Sequence, residues 1–362
     1  MSDNLFERLF ELFQSPGPVN WKLAHEVTGS LAGHQEPIDP DLAEEYQELS
    51  LAAQLRLAPH APFDVSAGRL PDPVDRAGWA AANEQSFAYL IAPLADKLTP
   101  GIASAGPLGA MLGPMGPALL GMQAGTMVGF MSHRVLGQFD TGVPALDARA
   151  ASLVVPNVED FAVEHSIDAH QVRLWAALHE IGSHAVLAVA WVGGHLRELL
   201  GEFFEGLEFD PSGLLEQLGS LQEPADFERL VAGSEELPAL LGRKDQPTEV
   251  GRLQGALGFL EGYVDHLAGR AAVEVLPDLG RIDEAHSRRR AEPTQAEQML
   301  HQLVGLDLQR SRATDAARFC AEVSRRWGEE PLDGIWQGPE RLPTVDELTD
   351  PVGWAARVLL DE

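Results

Sequence analysis

Three titratable side chains, His179, Glu180 and His184, lie in the apolar run WAALHEIGSHAVLAVA from Trp175 to Ala190. Such groups are costly among apolar neighbours unless they are paired or bound to something. Two histidines four residues apart on a helix face one metal ion, and a glutamate between them can take a proton from metal-bound water. Here the spacing is five: Ser183 stands four residues after His179, and the second imidazole comes at His184. At about 100° per residue, four residues return a side chain to within about 40° of its start, whereas five leave it about 140° away. A regular helix therefore puts His179 and Ser183 on one face and Glu180 and His184 on the next. A one-residue bulge would bring His184 back beside His179, as bulges at functional sites do. Without one, Glu180 and His184 form an ordinary pair on a half-buried helix.

A catalytic zinc needs three protein ligands and one open position. Outside this run, Glu261 and Asp265 in LEGYVDH are four residues apart and share one face of a helix among apolar neighbours. Two carboxylates so placed repel unless something positive lies beside them, and a metal or a metal-bound histidine would supply that. The alternative is a helix edge open to solvent. His266 is a further candidate on another face, and Arg288, Arg289 and Arg290 read as a solvated loop or helix end.

The elements that must position these groups are helical. Ser166 and Asp168 offer N-caps for a helix from Asp168 to Trp191. Before it, apolar spacing predicts helices over Leu5 to Phe13, Asn20 to Leu31, Asp39 to Leu57 and Arg76 to Lys97, then a strand over Leu153 to Val158. After it come helices over His195 to Phe204, two short acidic ones within Asp210 to Lys244, and a long one over Gln246 to Arg270. Thr294 to Leu303, Asp307 to Trp327 and Pro351 to Leu360 complete the set. No Asp, Glu, Lys or Arg occurs between Lys97 and Arg134, but prolines break its first half. The unbroken piece, Ala118 to Met131, is shorter than the ~20 residues of a spanning helix. It is expected to be a buried helix whose stripe of Gly121, Gly125 and Gly129 admits a close neighbour.

The chain has 362 residues, 45% hydrophobic and 22% charged, with a formal net charge of −29. That charge argues against nucleic-acid partners, whose phosphates it would repel, and against anionic membrane surfaces. Cys320 is the single cysteine, which rules out an internal disulfide and suits a reducing compartment. Asp3 and Glu7 stand where an export signal would carry positive charge, so a cytoplasmic location is expected.

Several segments, in order, carry a family resemblance: GFMSHRVLGQFD (129–140), VVPNV (154–158), RLWAALHE (173–180), LEGYVDH (260–266), LVGLDLQ (303–309) and WQGPERLPTVDELTDPVGWAARVL (336–359). Over about Leu90 to the C-terminus the chain resembles actinobacterial zincin-like metallopeptidases, a group associated with deazaflavin-coenzyme biosynthesis. The resemblance implies a mainly α, multi-helix zincin-like domain with at most a few short strands. That domain would span residues 76–362 and pack as one unit with an N-terminal helical segment, 1–75. It implies zinc as cofactor, His179 as first ligand, Glu180 as general base, Glu261 as third ligand and Asp265 as the carboxylate orienting a ligand histidine. The family's second histidine falls on Ser183, a departure that leaves His184 as the nearby replacement. The expected site is therefore His179, His184 and Glu261, with the helix distorted near Gly182, where glycine tolerates unusual backbone. Two functions are compatible with these residues: a zinc-dependent, peptidase-like hydrolase acting on a peptide or small molecule, and a catalytically degenerate zincin-fold protein serving as a binding or structural module.

Overall fold

The structure of the protein, a computed structural model, describes residues 17–35, 37–66, 68–104, 115–146, 151–209, 241–243, 247–292, 298 and 311–360. The helices expected over Leu5 to Phe13, within Asp210 to Lys244 and over Thr294 to Leu303 fall wholly or almost wholly outside these residues.

Helix α1 (Trp21–Ala32) starts at Asn20, whose side chain accepts from the Leu23 N–H at 3.0 Å. Helix α2 (Pro40–Leu57) is capped by Asp39, and its proline fits the first turn, where no N–H is needed. A short strand β1 (Asp72–Val74) leads into α3 (Arg76–Asn83) and α4 (Ala88–Ser104). The single helix expected over Arg76 to Lys97 is thus two, parted by the turn at residues 84–87. Helix α5 (Met115–Met131) is the uncharged one. Strand β2 (Ser152–Val154) pairs in parallel with β1 and ends where α6 (Val155–Glu164) begins. The strand expected to reach Val158 stops early because Pro156 sits in the first turn of α6, where it starts a helix readily.

Helix α7 (Ala169–Leu187) carries His179 and is capped by Asp168, which accepts from Gln171 N–H at 3.1 Å. Then follow α8 (Val192–Glu205), the antiparallel pair β3 (Leu207–Phe209) and β4 (Leu241–Arg243), and α9 (Pro247–Ala272). Helices α10 (Leu279–Ala291), α11 (Ser311–Trp327), α12 (Glu330–Ile335) and α13 (Pro351–Leu359) complete the described chain. The fold is mainly α.

Helix α7 runs through the core, with α2, α6 and α9 packed on it. Arg173 fixes its bearing: the guanidinium bonds Glu45 of α2 at 2.7 Å and both oxygens of Glu159 of α6 at 2.8 and 2.7 Å. Gly182 lies against α9, where an added methyl would come within 3.3 Å of Val264 Cγ1. Its service is therefore close helix approach, and α7 stays regular past it to Leu187.

The glycine stripe of α5 meets α1 as expected. A methyl at Gly125 would run into the Ala24 carbonyl and come within 2.9 Å of Val27 Cβ. Thr28 Oγ1 also donates to the Gly125 carbonyl at 3.2 Å. Among the described residues, no helix is long and apolar enough to cross a membrane. Because backbone cannot give way easily, Gly125→Ala should destabilise the protein by about 1–3 kcal/mol in urea unfolding. Gly201→Ala, on α8 with no atom within 4 Å of the added methyl, should be neutral or stabilising by up to ~1 kcal/mol.

Candidate functional site

Three helices and one loop converge on a small cavity. Helix α7 supplies Trp175, His179, Glu180 and Ser183; α9 supplies Glu261 and Asp265; α10 supplies His286 and Arg290; the loop after α5 supplies Gly137, Phe139 and Asp140. The cavity holds about 50 Å³, room for a few water molecules, and is not closed off from solvent.

His179 lies at its wall. Its Nδ1 is 3.5 Å from Asp265 Oδ1, and its ring centroid is 4.2 Å from Trp175 and 5.7 Å from His286. Trp175 is itself held by an indole N–H donated to Asp283 at 3.1 Å. Burial, and after it the Arg290 charge, push His179 and His286 down to about 3, so both imidazoles are neutral near pH 7. His286 Nε2 lies 3.6 Å from Asp140 Oδ1, while Asp140 Oδ2 accepts from the Leu136 N–H at 3.0 Å.

Glu180 is 4% exposed and tied to backbone. Its Oε1 accepts from Ser152 N–H at 3.2 Å and its Oε2 from Phe139 N–H at 3.3 Å. Gly137 lets the loop come this close: a methyl there would lie 2.9 Å from Glu180 Cδ. Burial pushes this carboxyl up to about 8, against the lowering effect of the backbone N–H groups.

Glu261 and Asp265 do have a cation beside them, and it is Arg290. Its Nη1 is 3.8 Å from Glu261 Oε2, and its Nη2 donates to Asp265 Oδ2. The arginine run expected to be solvated is thus corrected at its last member: residues 279–291 form a helix, and the Arg290 side chain is only 9% exposed. Arg290, His286 and Asp140 were given no role from sequence. A signal was there: Asp283, His286 and Arg290 recur at helical spacing, so one face of α10 carries all three.

The structure brings His179, Glu180, Ser183, Glu261 and Asp265 to one cavity and leaves His184 out of its lining. The His184 ring packs 5.8 Å from the Phe139 ring and lies over Gly68, where a methyl would come within 2.7 Å of Nδ1. The expected distortion near Gly182 is absent: an α-helix without a bulge turns the fifth residue away, so Ser183 takes the position one turn after His179. His266 faces elsewhere, with Nε2 3.6 Å from Glu329 Oε2.

The profile of the family described as zincin-like metallopeptidase matches residues 19–355, and the chain belongs to that family. Membership suggests a zinc-dependent hydrolase. A crystal structure from Chloroflexus aurantiacus, described as "a putative hydrolase with a novel fold", is similar at a TM-score of 0.67 and 24% identity. The match covers 95% of this chain and 99% of that one. At that identity it establishes the shared fold. No functionally curated protein matches the chain.

The donors present do not fit the family's zinc. His179 and Glu261 reach the cavity, but a neutral hydroxyl is a poor substitute for the second imidazole. Among the described residues, no three His, Cys, Asp or Glu side chains are grouped so as to hold a metal ion.

The raised Glu180 carboxyl has a consequence for stability. The folded state holds its proton up to about pH 8, whereas the unfolded state releases it near 4.5. Below 4.5 both states are protonated and the group is neutral to folding; as pH rises towards 8 the unfolded state gains and stability falls. The wild type should therefore lose stability relative to Glu180→Gln between about pH 5 and 8, by a few kcal/mol in order of magnitude. Paired urea titrations across that range measure it, and a constant difference would show that Glu180 ionises normally.

Proposed function

We propose that this chain is a catalytically degenerate zincin-like protein that keeps the scaffold for binding. The observation that carries this is Ser183: on a regular α7 it stands in the cavity one turn after His179, where the family's second histidine would be. A hydrolase would also need the glutamate beside the first ligand free to take a proton. In this chain each Glu180 oxygen already accepts one backbone N–H, from Ser152 and from Phe139, which ties the carboxyl to β2 and to the loop after α5.

Size supports the same view. The cavity at His179 is small, about 50 Å³. An adjoining groove between α9, α10 and α11 measures about 450 Å³, within the range of small-molecule sites. His266, Arg270, Ser287 and Thr314 line it, and Asp265, His286 and Arg290 form its shared wall with the inner cavity. The groove is where we place a ligand.

A second function, zinc-dependent hydrolysis with Glu180 as general base, is favoured by one observation: His179, Glu180 and Glu261 still line a single cavity. Metal content separates the two. Protein dialysed against zinc and then against buffer should hold no stoichiometric zinc, and His184→Ala should behave identically. A wild type that retains about one zinc per chain, lost in His179→Ala, would overturn the degenerate reading and restore the hydrolase.

A further inference from the structure

Resting on that reading, we propose that Arg290 is the resident cation of this cavity and keeps divalent metal out of it. Two carboxylates four residues apart on a buried helix face need a positive partner, because each buried charge is costly when unpaired. A metal ion held by Glu261 would provide that charge. Here α10 delivers a guanidinium that is 9% exposed and reaches Glu261 with one nitrogen and Asp265 with the other. A planar fork with separate donors can serve two carboxylates at once, which a single ammonium does less well.

Asp265 links this pair to the histidine. Its Oδ2 accepts from Arg290, and its Oδ1 lies 3.5 Å from His179 Nδ1. The carboxylate that would orient a ligand imidazole is therefore already committed to the arginine. Metal entry at His179 and Glu261 would set a divalent charge beside a fixed positive one, and would draw Glu261 away from Arg290. Loss of the second histidine is thus one of two barriers to metal. The other is charge, and it persists when the histidine is put back.

The test uses full-length protein titrated with zinc against a chromophoric chelator, together with the visible spectrum of the cobalt(II)-loaded protein. The proteins are wild type, Ser183→His, Ser183→His/Arg290→Met and Ser183→His/Arg290→Lys. We expect weak zinc binding by Ser183→His and by the lysine double variant. The methionine double variant should bind one zinc at least ~100-fold more tightly, with the intense bands of four-coordinate cobalt. Should the methionine variant lose its near-ultraviolet dichroism, Arg290→Gln replaces it, since the amide is neutral yet still donates to a carboxylate. Tight binding by Ser183→His with Arg290 in place would overturn the proposal while leaving the degenerate reading intact. So would a folded, arginine-free double variant that binds no more tightly than Ser183→His. Zinc on the wild type would remove the reading beneath it.

Discussion

Two like charges cannot be set four residues apart in the interior of a helical protein without a counter-charge, and this constraint organises the centre of the molecule. Glu261 and Asp265 lie on the inward face of α9, each side chain about one-fifth exposed. Arg290 answers both, linking α10 to α9, and His286 of α10 lines the same cavity. The remaining charges adjust to that centre. His179 and His286 stay neutral because they are buried and because Arg290 is near. A buried ion pair need not add net stability, but breaking one leaves an uncompensated charge, so the three side chains are held together as a unit.

Helix geometry decides which of the titratable groups on α7 belong to that unit. Five residues is the wrong interval for two side chains on one face. The protein could have met the interval with a bulge, and Gly182 would have made one less costly. Instead Gly182 is used for contact, lying close to Val264 so that α7 and α9 approach each other. A bulge there would push apart the two helices that carry His179 and Glu261. Close packing and a repositioned His184 are competing uses of the same glycine, and packing prevails.

Much of the fold was legible in the sequence, for reasons that can be named. Asn20, Asp39 and Asp168 are cap residues placed before apolar periodicity, and each caps its helix. The glycine stripe of α5 indicated a close neighbour, and α1 fills that place. Legibility failed where a local signal had two physical outcomes. The β-branched run at Leu153 to Val158 contains a proline that can end a strand or start a helix, and the choice rests on the parallel pairing of β2 with β1. The arginine run failed differently. Three adjacent arginines look solvated as a group, yet a helix sends them in three directions, and the sequence does not show that Arg290 faces α9. Sequence spacing bounded the site to a few residues; it could not say which cation would meet Glu261 and Asp265.

Glu180 shows how a residue that looks catalytic can serve the fold. Its carboxyl accepts N–H groups from the loop after α5 and from β2, two segments that α7 must hold in place. The loop's own backbone continues the link, with Gln138 N–H donating to the Ser152 carbonyl at 3.0 Å. Each oxygen accepts a backbone N–H, so the carboxyl acts as a cross-brace whose hydrogen bonds persist without full ionisation. Such a brace keeps Gly137, Phe139 and Asp140 at the cavity wall. Asp140 in turn lies beside His286, which stands on the helix that carries Arg290. The loop, α7 and α10 therefore position one another around a cavity whose charge is already balanced, and the open groove beyond it is left as the face that can accept something from outside.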